Sequence, residues 1–89
     1  MSGLVGHAER AAILGRVADV FPPEESDRAV ARRLGCANSN VSRWIAGKAL
    51  PDAASLLAIR REYGVSVDWL LTGTGPRLVA DHTPTEDGR

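Results

Sequence analysis

Residues 30–44, VARRLGCANSNVSRW, decide how this chain folds. Val30, Ala31 and Leu34 recur at helical spacing, and Leu34-Gly35-Cys36 then breaks the pattern at a residue suited to a left-handed helix end. A second helical pattern begins at Ala37 or Asn38. Val41, Trp44 and Ile45 line one side of it, while Asn38, Ser39, Asn40, Ser42 and Arg43 fill the other. Two short helices joined by a tight turn thus present a stiff polar rod with hydrogen-bonding groups at its start. Reading a DNA groove needs that arrangement.

Working outward, Ser26 is an N-cap for the helix ending at Leu34, with Asp27 near the positive end of its dipole. Upstream, HAERAAILGRVADV (7–20) carries Ile13, Leu14 and Val17 as an apolar stripe, and Phe21-Pro22-Pro23 stops it because a residue before proline is driven out of the helical region. Downstream, Gly47 and Leu50-Pro51 separate the polar rod from a helix running from Asp52 or Ala53 to Tyr63. That helix is expected to bury Leu56, Leu57, Ile59 and Tyr63 to differing depths. Ser66 caps a short fifth helix, VDWLLT, closed by Gly73. Five short helices and no strand predict an all-α, compact five-helix domain over residues 1–76, with a helix-turn-helix at about 26–46. Residues 77–89 have no sustained period and read as a flexible tail. The expected core is Leu14, Val17, Val30, Ala31, Leu34, Val41, Ile45, Leu56, Ile59, Val65, Trp69 and Leu70.

Composition narrows the partners. The 89 residues, 44% of them hydrophobic, suffice for one small domain. No apolar run approaches the roughly 18 residues a membrane span requires. MSGLVGHAER lacks a basic segment leading into an apolar core, so no secretion signal is expected. A single cysteine, Cys36, suits a reduced cytoplasmic protein. The formal net charge is zero, yet it is unevenly spread. Residues 27–62 hold Arg28, Arg32, Arg33, Arg43, Lys48, Arg60 and Arg61 against Asp27, Asp52 and Glu62, whereas each flank is net acidic. DNA responds to the surface facing it, not to the whole-chain sum.

In the third helix, asparagine suits adenine, serine bonds bases or phosphate, and arginine pairs with guanine or holds phosphate. Asn38, Ser39 and Asn40 occupy the turn that penetrates deepest, and Arg43 reaches either a base edge or the backbone. Helix capping competes for Asn38, but capping leaves the continuing polar face of Ser42 and Arg43 unexplained.

Residues 26–75 resemble the lambda-repressor-like helix-turn-helix family, of the Cro and phage-repressor type. The resemblance rests on the paired helices, on VSRW-x-x-GK-x-x-P (41–51), on Leu56-x-x-Ile59 and on GVSVDWLLTG (64–73). It implies a repressor of phage or prophage kind binding double-stranded operator DNA as a homodimer. Asn38, Ser39, Asn40 and Arg43 would read bases, while Arg28, Ser42 and Lys48 would meet the backbone. Trp44 and Val41 match packing positions. The family's motif often starts Thr-Gln, whose glutamine clamps phosphate. Here Ser26-Asp27 stands instead, and a carboxylate repels phosphate. Asp27 is expected to pair with Arg28 or another arginine. No second domain for sensing an inducer is evident, which favours a stand-alone role.

Catalysis has little to build on. His7 and His82 lie near opposite ends without metal-ligand neighbours, and Ser39, Ser42 and Cys36 have no histidine beside them. Asp68 and Glu62 suit a solvated surface, and Gly73-Thr74-Gly75 lacks a phosphate loop's lysine. No cofactor, metal or small-molecule ligand is expected. The alternative is an antitoxin or accessory protein-interaction module. Trp69-Leu70-Leu71 carries more apolar surface than one short helix buries, placing Leu71, or Leu70 if the helix is rotated, in a subunit interface.

Overall fold

A computed structural model describes residues 6–79; residues 1–5 and residues 80–89, which include His82 and most of the expected tail, lie outside that range. Five helices follow in order: α1 (His7–Val20), α2 (Asp27–Leu34), α3 (Asn38–Ile45), α4 (Ala53–Tyr63) and α5 (Val67–Thr72). The described residues form a compact, mostly α-helical domain with a helix-turn-helix at α2 and α3.

Local chemistry sets most helix ends. The Ser26 hydroxyl accepts from the Ala29 N–H, the Asp52 carboxylate from Ser55 N–H, and the Ser66 hydroxyl from Trp69 N–H. Phe21 is extended, as Pro22 requires. Gly35 closes α2 at φ 78°, and the Cys36 N–H returns to the Ala31 carbonyl at 3.0 Å. That left-handed residue turns the chain sharply enough for α3 to pack back across α2.

Ile13, Leu14 and Val17 of α1, Val30, Ala31 and Leu34 of α2, Val41 and Trp44 of α3, and Ala58 and Ile59 of α4 share one core with Phe21, Val65 and Leu70. Several expected assignments need correction. Ile45 is 47% exposed. It faces the stretch of α1 that carries Ala11, Gly15 and Ala18, side chains too short to cover it. Leu57 is exposed rather than buried, and Leu56 and Trp69 are only half-buried. Leu70 is fully buried, so it is core and not interface. The helix rotation that buries Leu70 leaves Leu71 outside, at 44% exposure.

Long-range bonds hold the C-terminal half. The Arg16 guanidinium on α1 donates to the Leu70 and Leu71 carbonyls at 2.9 and 3.2 Å, satisfying groups at the end of α5. Gly73, at φ 75°, sits so close that a Cβ there would lie 2.9 Å from Arg16 Nη1. Residues 77–79, expected in the tail, run back along the domain. Val65 and Leu78 form an isolated antiparallel bridge, with Ser66 N–H donating to the Arg77 carbonyl and Val79 N–H to that of Gly64. Arg77 also pairs with Asp19 at 3.0 Å and stacks over the Trp69 ring. Near the α1–α2 loop, Glu25 accepts from Arg33 and from the Tyr63 hydroxyl. Burial, and then the bond to the Glu25 carboxylate, push the Tyr63 phenol up to about 12.

Candidate nucleic-acid interface

The polar side of α3 exists because its other side is anchored. Val41 is fully buried and Trp44 only 4% exposed, so the tryptophan belongs to the core. With these two facing inward, helical geometry turns Ser39 and Arg43 directly outward, both exposed, with Asn38 and Asn40 on the flanks. Asn38 is exposed and Asn40 half-buried. The helix is capped one residue earlier than expected for Asn38. Ala37 holds the cap position without a side-chain bond, so Asn38 is the first helical residue and keeps its amide for other partners.

Two hydrogen bonds organise this face. The Ser42 hydroxyl donates to Asp27 Oδ2 at 3.2 Å, joining α3 to the start of α2. The expected ion pair between Asp27 and an arginine does not form among the described residues, and the Ser42 proton expected on phosphate is engaged within the protein. One turn along, Arg43 Nη2 donates to Asn40 Oδ1 at 2.8 Å. The spacing of three residues makes that pair accessible to sequence reasoning.

Beyond α3, Gly47 at φ 78° ends the helix, with Lys48 N–H returning to the Arg43 carbonyl at 2.8 Å. Arg10 on α1 donates to the Gly47 carbonyl at 3.1 Å and braces the loop that carries Lys48. No sequence signal links positions 10 and 47. Arg28 and Lys48 are exposed at the two ends of the motif, and neither forms an ion pair among the described residues. Arg33 and Arg61, by contrast, are paired with Glu25 and Glu62.

No group of three or more His, Cys, Asp or Glu side chains among the described residues is placed to hold a metal ion. Burial and the nearby Asp52 charge push the Cys36 thiol up, which keeps it in the less reactive protonated form. No described helix is long and apolar enough to cross a membrane.

A helix-turn-helix family model matches residues 26–70, spanning α2, α3, α4 and most of α5. The chain belongs to the helix-turn-helix family. That family is a DNA-binding, non-catalytic one. The domain is also similar to an uncharacterized HTH-type transcriptional regulator of Haemophilus influenzae, with 42% identity over 43 residues. The alignment covers 48% of this chain but only 18% of that relative. No solved structure matches the chain.

Proposed function

We propose that this helix-turn-helix domain is a sequence-specific transcriptional regulator of lambda-repressor-like, Cro-type character, binding operator DNA as a homodimer in the cytoplasm. The observation that carries this reading is the two-sided build of α3. Trp44 and Val41 fix it to the core while Ser39 and Arg43 stand exposed on its other side, with the exposed cations Arg28 on α2 and Lys48 after α3. Asn38, Ser39, Asn40 and Arg43 make up the base-reading face, and Arg28, Lys48 and the flank around Ser42 lie along the backbone. A single small domain makes few base contacts, and a two-fold pair on a palindrome doubles them. Leu71, exposed on α5, is the residue offered for the contact between copies. The similarity to a transcriptional regulator supports the role, and the lambda-like sequence phrases support the phage or prophage setting and the repressor role.

Selection of bound fragments from random double-stranded DNA tests the activity, and enrichment of a palindrome supports the dimer. Light scattering that finds a monomer both alone and on its best site contradicts the dimer. An antitoxin or accessory module is the second reading, favoured by exposed Leu57, Leu71 and Leu78. Failure to enrich any DNA sequence favours it.

A further inference from the structure

The bond between Arg43 and Asn40 gives two residues of the same face different tasks. Arg43 is exposed, whereas Asn40 is half-buried on the α4 side of α3. There Asn40 borders a shallow cleft with Leu50, Asp52 and Ser55. Its amide oxygen accepts from Arg43 Nη2 at 2.8 Å. The Asp52 carboxylate, which borders the same cleft as Arg43, accepts from the Ser55 N–H through Oδ1 at 2.8 Å and makes no ion pair with Arg43.

A guanidinium carries five N–H donors in one rigid plane, so a single bond to Asn40 leaves others free to point outward. Two parallel donors on arginine match O6 and N7 of guanine. Holding a long side chain in one orientation before docking reduces the freedom it loses on binding. Asparagine recognises adenine by accepting from N6 and donating to N7 together, and the oxygen of Asn40 is already turned to Arg43. We propose that Asn40 is a positioning residue that acts through Arg43, so that the two read one guanine as a unit instead of two separate bases. The inference rests on the groove-reading function proposed above.

The test uses the DNA site selected by the wild-type protein. Binding is measured at fixed salt on that site and on variants with each base pair replaced in turn. Proteins compared are wild type, Arg43→Ala, Asn40→Ala, the double variant and Asn40→Asp, which keeps an acceptor for Arg43 but removes the amide donor. Arg43→Ala should lose roughly 5- to 150-fold preference for guanine at one position. Asn40→Ala should relax that same position by a smaller factor and have no further effect on preference once Arg43 is gone. Asn40→Asp should retain the guanine preference while weakening all DNA through its added charge. If Asn40→Ala relaxes a different base pair, or the double variant loses the product of the two single effects, the inference is overturned and groove reading stands. If the wild-type protein enriches no sequence, both fall.

Discussion

The helix-turn-helix and the C-terminal closure are held together by different kinds of force. In α2 and α3 the contacts that set the turn are short in sequence, and the core packing of Trp44, the Ser42–Asp27 bond and the Arg10 brace reach further. Ser26 caps α2 three residues on, Gly35 turns the chain with a bond from Cys36 back to Ala31, and Trp44 seals α3 against the core. In α5 and residues 77–79 the contacts come from far away. Arg16 reaches carbonyls 54 and 55 residues downstream, and Arg77 reaches Asp19 across 58. A recognition surface needs the first kind of support. Locally closed geometry keeps Ser39 and Arg43 facing outward without relying on solvated charge pairs at the opposite end.

The largest expected effect tests the anchoring of α3. Trp44→Ala removes a nearly buried ring and should destabilise by about 3–5 kcal/mol, a large share of a small domain's stability. Thermal unfolding should show the domain unfolded or nearly so, with DNA binding lost as a consequence. A variant with an unchanged midpoint and abolished binding would mean that the ring faces the ligand.

Arg16→Met comes next and probes the distant kind of support. It keeps the apolar stem but strands the Leu70 and Leu71 carbonyls. The expected loss is about 1.5 kcal/mol, at the low end for bonds to a charged donor because the guanidinium is partly solvated. Hydrogen exchange should quicken first at the end of α5 while α2 and α3 keep their protection. Uniform quickening through both regions would erase the contrast between them.

Ser26→Ala should cost about 1 kcal/mol through the lost cap, lowering the unfolding midpoint by roughly 4–8 °C in a domain this size. An unchanged midpoint would show that α2 is set by packing alone.

A smaller effect concerns pH. Tyr63, the sole tyrosine, has its phenol pushed to about 12 by burial first and the Glu25 bond second. Because the folded value lies above the unfolded one near 10, its contribution is complete below pH 10 and lost as pH rises towards 12. Absorbance titration should place the phenol near 12, and Glu25→Gln should bring it down. A midpoint near 10 in the folded protein would show that Tyr63 does not join the loop to α4.

The same contrast explains what the amino-acid order revealed. Ser26, Gly35, Ser66 and Gly73 announce helix ends because their chemistry acts on neighbours a few residues away, and all four end or begin helices as read. Ile45 stands outside the expected core, and Leu57 is exposed where α4 was expected to bury it, because periodicity says which residues share a face but not what stands opposite. The short side chains of α1 opposite Ile45 become evident only in three dimensions. In the candidate interface, the outward placement of Ser39 and Arg43 follows from the apolar stripe of Val41 and Trp44. The one-residue shift that makes Ala37 the cap, the Asp27–Ser42 bond and the Arg10 brace depend on how helices meet. The docking of residues 77–79 leaves no mark in the sequence, because RLV after Gly75-Pro76 is too short to show a period.

The most direct measurement of the central claim is affinity for the selected site and for random DNA, over a range of salt, with wild type, Arg43→Ala and Lys48→Ala. The account predicts that wild type prefers its site by about 10³-fold or more. Arg43→Ala should lose mainly that preference, while Lys48→Ala weakens both DNAs alike and lowers the salt slope by about 1. Equal binding of selected and random DNA by wild type, or equal losses on both for Arg43→Ala, would contradict sequence reading by the outward face of α3.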